Sequence, residues 1–466
     1  MRTRVLVRAP GKPYRRAMRQ FARFALSVYR IVAIVIAIGL IVLNARLYHG
    51  PGVTYARPAL GADIVAELHS LRGHLDAGAG ATMQELYPEG FFFAHVLYGL
   101  SWVEVGLRAT PGEPLWQEAL NEARWASAQL ASPPGRAPFS ADLVPAYGVF
   151  YAGWRGWLDG GILLMQPEAS RPADERAAYE AELAALAAAF DAGASPYLES
   201  YPGQAWPVDN VVAVAALRLH DTVAPPLYGA TISRWLEQVR SLSAPDGGLL
   251  AHRADPSTGR SLEGPRGTSQ SMTARFLTEI DPAGGAAFYR LYRAGFVRPF
   301  LGVPGVVEAP GEAAWLAGGD VDSGPLLFGF SASATMVALA AAQVNGDDAV
   351  RDALIPATEA VGLPLALGDD KRYALGLLPI GDAFIVWAKT SSRWIPGDVV
   401  ASDLPEIVDP NWRLPFHGVT LGLLAMLGLP DFVARVVGAL ATARRGRLTR
   451  MPAADGLRAT DPGAHS

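Results

Sequence analysis

Three aspartates hold the chemically most loaded positions of this sequence: Asp209 in Tyr201-Pro-Gly-Gln204-Ala-Trp206-Pro-Val-Asp209-Asn210, and Asp320 with Asp322 in Asp320-Val-Asp322-Ser323-Gly-Pro325. A carboxyl group kept neutral by burial can donate a proton, and a second, ionised one can accept it or activate water; together they do general acid/base work on an oxygen. Two carboxylates two residues apart, entering a nearly charge-free helix, invite a raised proton affinity or a bound cation. Tyr201, Trp206 and Phe92 offer flat faces to a sugar ring. Gln204, Asn210, His252, Arg266, Gln270 and Ser323 offer hydrogen bonds to a substrate, and His95 in GFFFAHVLYGL stands as a further binding candidate.

Each of these residues also has a plain structural use. Asp209 and Asp322 could cap helices, His95 could be a satisfied core histidine, Arg266 could be structural, and Lys371 with Arg372 could form a solvated turn. No His/Asp/Glu spacing amounts to a metal signature and no glycine-rich phosphate loop occurs, so neither metal nor cofactor is expected. The chain has 0 cysteines, which excludes thiol catalysis and disulfides.

Residues this scattered can cooperate only if the fold collects them. Apolar residues at helical spacing, broken by short Gly/Pro-rich stretches, predict helices in six consecutive pairs. The pairs are Ala62 to Leu75 with Phe91 to Arg108, Glu113 to Ser132 with Asp142 to Met165, and Pro172 to Ala192 with Pro207 to His220. Then follow Tyr228 to Leu242 with Ser269 to Ile280, Ala283 to Ala294 with Pro325 to Gln343, and Asp347 to Val361 with Pro379 to Lys389. The first member of a pair is generally amphipathic and the second more apolar, as two concentric rings require. The expected class is therefore all-α, an (α/α)6 toroid of six helical hairpins over residues 62–395; a solenoid of helix pairs fits less well, because no fixed repeat length recurs. FIVWAK at Phe384 to Lys389 and GGLLAHR at Gly247 to Arg253 are the best strand signals.

In such a ring the second helices run parallel, and the loops leading into them open at one end. Those loops carry the polar and aromatic clusters, including Glu89 near the second helix and Asp382 near the last. Helix N-termini add unpaired N–H groups and partial positive charge there.

Ahead of the helical part, Phe24 to Leu47 has the length and apolarity of a membrane-spanning helix. Eight basic residues from Arg2 to Arg23 precede it and no acidic residue occurs before Asp63, so the N-terminus is expected to be cytoplasmic and the remainder exported. The organisation read this way is a basic tail (1–23), a single anchor (24–47), a linker (48–61), the toroid, a C-terminal helical extension (396–450) and a disordered tail (451–466). Within the extension, Pro430, Asp431 and Arg435 interrupt the apolar stretch from Pro415 to Ala443, which favours a helical pair or an interfacial helix over a second span. A formal net charge of -4 argues against a nucleic-acid partner. The expected partners are the membrane and a small-molecule or glycan substrate.

The loop motifs and helical pairing resemble the six-hairpin glycosidase-like superfamily, and YPGQAWPVDN with DVDSGP in a membrane-anchored chain is similar to its linalool dehydratase/isomerase-type group. The resemblance covers about Ala62 to Thr390 and implies acidic residues and aromatic platforms at one mouth of the barrel. The linalool enzyme carries active-site cysteines, which this chain lacks. The expectation is thus a glycan hydrolase or lyase using Asp209 with Asp320 or Asp322. A hydro-lyase of an apolar alcohol and a non-catalytic polysaccharide-binding protein are the alternatives.

Overall fold

The computed structural model of the chain describes residues 12–48, 62–311, 319–320, 322–397 and 404–448. Residues 1–11 of the expected basic tail, 49–61 of the expected linker and the tail expected to be disordered lie outside them, while Lys12 to Arg23 belong to the first helix. The helices are α1 (Lys12–Arg46), α2 (Ala62–Asp76), α3 (Ala79–Leu86), α4 (Gly90–Arg108), α5 (Pro114–Ala131), α6 (Pro133–Arg136), α7 (Gly148–Leu164) and α8 (Ala173–Ala192). They continue with α9 (Pro207–Val223), α10 (Gly229–Ser243), α11 (Gly267–Ile280), α12 (Pro282–Phe296), α13 (Ala332–Val344), α14 (Asp348–Val361), α15 (Pro379–Thr390) and α16 (Arg413–Leu448).

The chain divides into a helical unit, Leu43–Leu414, and a second unit made of the segments before and after it. In the helical unit α4 packs on α7, α7 on α9, α9 on α11, α11 on α13, α13 on α15, and α15 back on α4. These six are the second members of the pairs read from the sequence. Their apolar character follows from burial: α9 is buried at almost every position from Pro207 to Leu219, and α4 at nearly all from Gly90 to Gly106. Small residues let the backbones close up; a Cβ on Gly153 of α7 would sit 2.9 Å from the Ala213 backbone of α9. The first members behave differently. On α10 only one stripe is buried, Thr231, Ile232, Trp235 and Val239, which is the i, i+3, i+4 spacing of a helix with one covered face.

Several boundaries move. The α7 helix begins at Gly148 rather than Asp142, after Tyr147 takes the left-handed conformation (φ 68°). α13 begins at Ala332 rather than Pro325, because Leu326–Leu327 and Phe330–Ser331 pair as a hairpin. That hairpin belongs to a four-stranded antiparallel sheet with Val297–Phe300 and Val303–Val307. FIVWAK is not a strand: it lies in α15, where burial of Ile385, Val386 and Trp387 overrides the β preference of its residues. GGLLAHR contributes only Arg253 to a two-stranded pairing with Ser261–Glu263.

In the second unit, α16 runs unbroken through Pro430, so the expected helical pair is a single helix. Arg30 of α1 pairs with Asp431 of α16 at 2.7 Å, and the Tyr29 hydroxyl donates to the Leu427 carbonyl at 2.7 Å. Arg23–Arg46 and Arg413–Leu440 are both long and apolar enough to cross a membrane. Gly90–Arg108 is as well, but 89% of its most apolar window is buried inside the protein, so its apolarity belongs to the core.

Candidate functional site

Asp209 sits in the first turn of α9, where Pro207 starts the helix and removes an N–H that would have no partner. It caps nothing; its carboxylate accepts a 2.5 Å hydrogen bond from the Ser200 hydroxyl, while the capping residues of α13 and α14 are Ser331 and Asp347. The loop before α9 is clamped by Asn210, whose amide accepts from the Leu198 N–H (2.8 Å) and donates to the Leu198 and Trp206 carbonyls (3.2 and 3.1 Å). Gln270 on α11 repeats the device, accepting from the Leu250 N–H (3.2 Å) and donating to the Leu250 carbonyl (2.8 Å). Both amides are spent on backbone, and each clamp fixes the path of a loop that carries a reactive side chain.

The first clamped loop brings Tyr201 across to Glu89, the residue preceding α4, and its hydroxyl donates to the Glu89 carboxylate. Tyr201 stacks on Phe139 at 5.9 Å and meets Trp206 edge-on at 5.8 Å; Phe139 rests on Phe92 at 5.4 Å. Phe92 is fully buried, so it belongs to the layer beneath the aromatic face rather than to the face itself. Gln204 closes the turn through its backbone, with its side chain exposed.

The second clamped loop carries His252. Its Nδ1 lies 2.5 Å from the Ser269 hydroxyl, and its Nε2 lies 3.5 Å from an Arg266 nitrogen and 3.8 Å from Asp322 Oδ2. Arg266 in turn pairs with Glu308 at 2.8 Å and with Asp320. Glu308 also accepts from the Thr268 N–H (3.1 Å) and hydroxyl (2.7 Å), and Asp320 accepts from the Ser323 N–H at 3.0 Å.

The electrostatics divide these groups into two kinds. Burial pushes the Asp209 carboxyl up to about 8, against the Ser200 hydrogen bond and with help from the charges of Asp322 and Glu89. Burial, with Asp320 adding, raises Asp322 to about 6 although 52% of its side-chain surface is open. Glu89 is raised by burial and by Asp322. In contrast, burial works against the charge of Asp320, but Arg266 and Ser323 outweigh it and hold that carboxyl well below the usual range. Burial and Arg266 lower His252 to about 4, which keeps it neutral near pH 7. Among the described residues, neither Asp209, Glu89 nor Asp322 forms an ion pair with Arg or Lys.

His252, Asp320 and Asp322 each offer one ligand atom within 4.8 Å of one another, a spacing open to a metal ion. Arg266 already neutralises Asp320 and stands 3.5 Å from the histidine nitrogen, so a cation would have to displace it.

Neither a known protein family nor a curated protein matches this chain.

Of the residues singled out in the sequence, Asp209, Asp320, Asp322, Tyr201, Trp206, His252, Arg266 and Ser323 are linked through these contacts and charges. His95 is elsewhere: its Nδ1 bonds the Phe91 carbonyl at 2.7 Å and its ring packs on Trp125 of α5. Lys371 is not part of a solvated turn; it is buried and pairs with Asp63 and Glu359. Glu308 carries no warning in the sequence beyond being the one carboxylate that closes the apolar run VPGVV.

The opposite ends of the same helices are closed. Ser392 N–H and Trp394 Nε1 donate to Glu104 of α4 (2.7 and 2.9 Å), and Ile395 N–H donates to Glu279 of α11 (3.1 Å). Trp394 lies flat on Trp157 of α7 at 4.7 Å. The segment after α15 therefore crosses the C-terminal ends of these helices, and both buried acids there have an arginine partner, Arg108 and Arg275.

Proposed function

We propose that the helical unit is an (α/α)6 toroid and that the chain is a membrane-anchored enzyme acting on a glycan or related hydroxylated substrate by carboxylate acid/base catalysis. The closed cycle of six helix neighbours supports the toroid. So does the gathering of the residues before α4, α9, α11 and α13 at one end, with the chain after α15 at the other. The resemblance to the six-hairpin glycosidase-like superfamily fits this arrangement.

The observation that carries the catalytic reading is the split between Asp209 and Asp322. With one carboxyl at about 8 and the other at about 6, pH 7 leaves Asp209 protonated and Asp322 ionised. Asp209 then protonates the leaving oxygen, and Asp322 activates water or removes a proton. Asp320 holds Arg266 in place, and neutral His252 positions Asp322. A pure binding protein has no use for uncompensated buried carboxylates, and its acids would be expected in ion pairs. The aromatic layer of Phe92, Phe139 and Tyr201 favours a second reading, a hydro-lyase of an apolar alcohol using the same two carboxyls.

The basic residues ahead of the apolar stretch of α1 support a cytoplasmic N-terminus and a helical unit on the extracytoplasmic side. Purified full-length chain screened against oligosaccharides and terpene alcohols separates the two reactions. Asp209→Asn and Asp322→Asn should each reduce turnover by roughly 10²-fold or more while the far-ultraviolet circular dichroism stays unchanged; full activity in both removes the proposal.

A further inference from the structure

The large apolar side chains that the helical unit leaves exposed are unevenly placed. Phe328 (66%), Leu367 (64%), Leu375 (61%) and Leu377 (78%) project from the connections between α12 and α13 and between α14 and α15. The same two connections expose Leu301, Leu363 and others, and the first of them carries Asp320 and Asp322. Away from these two connections and from the chain next to α1 and α16, the described residues of this unit expose Leu86, Val144, Leu227, Leu262, Leu291 and Val361, each in a different element or connection.

The backbone holds these side chains out. Leu301, Phe328, Leu363 and Leu375 all adopt left-handed φ values, between 50° and 59°, a region that bulky residues rarely occupy. Arg46, in the last turn of α1, donates from Nη2 to the Pro364 carbonyl at 2.9 Å, in the connection that carries Leu363, Leu367, Leu375 and Leu377. Arg413, where α16 begins, donates to the Leu47 carbonyl at 3.0 Å. Within the helical unit, Arg46, Leu47 and Arg413 thus lie next to the connection that carries Leu363, Leu367, Leu375 and Leu377.

We propose that these loops dip into the surface of the membrane in which the chain is anchored, so that the mouth of the Asp209/Asp322 cluster opens at the bilayer. The substrate is then a membrane-borne amphiphile whose hydroxylated or glycosylated head group reaches the carboxyls; this second half rests on the proposed catalytic reading. Apolar side chains on loops bury themselves at a lipid interface for the same reason that an amphipathic helix does.

The absence of cysteine makes the test direct. Single Leu377→Cys, Phe328→Cys, Leu227→Cys and Leu291→Cys variants of the full chain are labelled with a fluorophore in phosphatidylethanolamine/phosphatidylglycerol vesicles containing nitroxide lipids. Probes at 328 and 377 should be quenched several-fold more than those at 227 and 291; equal quenching overturns the membrane-facing mouth whatever the enzyme does. Turnover is then compared between a dialkylglycerol glucoside held in the vesicles and glycerol glucoside in solution. At least a tenfold preference for the former, lost in Phe328→Asp/Leu377→Asp, is expected. Preference for the soluble compound sinks the substrate class alone, and no turnover of either compound counts against the catalytic reading while the quenching result stands.

A second inference stands on separate observations. Arg30 lies seven residues inside the first span and Asp431 nine residues before the end of the second, and they form an ion pair. Arginines flank the same end of each stretch, Arg15 to Arg23 before one and Arg444 to Arg450 after the other. We infer that α16 crosses the membrane antiparallel to α1, which makes the anchor two-pass and places both termini on one side; a charge buried in lipid is tolerated when paired in this way. Thr3→Cys and Ser466→Cys should be equally shielded from an impermeant maleimide in intact cells. Opposite accessibility overturns the second span.

Discussion

Two groups of carboxylates in the helical unit are treated in opposite ways. Asp63, Glu67 and Glu359 surround Lys389, whose ammonium lies 3.0, 3.0 and 3.2 Å from them. Lys371 adds ion pairs to Asp63 (3.1 Å) and Glu359 (2.9 Å), and the Tyr373 hydroxyl donates to Glu359 at 2.5 Å. Burial opposes the charge of Asp63 and Glu359, but the two lysines outweigh it and lower both; Glu67 alone is pushed up by burial, to about 7. Two cations therefore face two ionised acids and one that is close to neutral. Glu89, Asp209 and Asp322 have the same number of carboxyls and no lysine. Burial does not distinguish a site from a structural network; carboxyls held above their usual range with no Arg or Lys ion pair do.

The largest expected effect separates the two groups by what fails. Asp209→Asn should reduce turnover by roughly 10²- to 10⁴-fold, the usual worth of a positioned acid or base. Stability should move the other way. A carboxyl raised from the usual carboxylate range to about 8 favours the folded state least when ionised, so the parent loses stability as pH climbs through that window. The asparagine variant, which does not titrate, should melt higher than the parent at pH 9 and no higher at pH 4. Calorimetry at both values checks this, and a lower melting temperature at pH 9 would show that the charge of Asp209 is compensated after all.

Lys389→Met is the complementary lesion. Removing one partner of a buried ionic network typically costs about 3–5 kcal/mol, because uncompensated charge stays behind. A large drop in denaturant midpoint with unchanged turnover per folded molecule is expected. If turnover is lost and stability is kept, the roles of the two groups are reversed.

The pH profile of kcat/KM sharpens the contrast further. Activity should rise through about pH 6 as Asp322 ionises and fall through about pH 8 as Asp209 loses its proton. The Lys389 group should leave no limb on the profile. Its lowered acids, Asp63 and Glu359, contribute stability that is present above the usual carboxylate range and lost as the solution becomes acidic, which a melt at pH 3 detects.

Much of this was legible in the chain itself, for physical reasons that also mark where legibility ends. The apolar spacing of LEQVRSL and VVAVAALRL is local, and it predicted α10 and α9 within a few residues. The starts of α7 and α13 were displaced because a left-handed Tyr147 and a strand pairing between Leu326 and Ser331 are set by tertiary contacts, not by their neighbours in sequence. Asp209, Asp322, His252 and Arg266 stood out as polar residues entering apolar helices. The pairing of Arg266 with Asp320, 54 residues away, had no local trace, nor did the burial of Lys371 against Asp63, 308 residues away. Polar residues announce themselves by composition, but their partners are chosen by the fold.

The smallest test compares one hydroxyl from each group. Ser200 donates to the charged form of Asp209, and its bond is the one influence that lowers that carboxyl. Ser200→Ala should therefore move the alkaline limb of the profile upward by about one pH unit, equivalent to about 1.4 kcal/mol, with little change in melting temperature. Tyr373 donates in the same way to Glu359, but Lys371 and Lys389 remain to hold that charge. Tyr373→Phe should lower stability by about 1.5–3 kcal/mol, the net worth of one hydrogen bond to a charged group, and leave both limbs of the profile in place. If instead Ser200→Ala shifts only the melting temperature and Tyr373→Phe only the profile, the catalytic proton belongs to the lysine network.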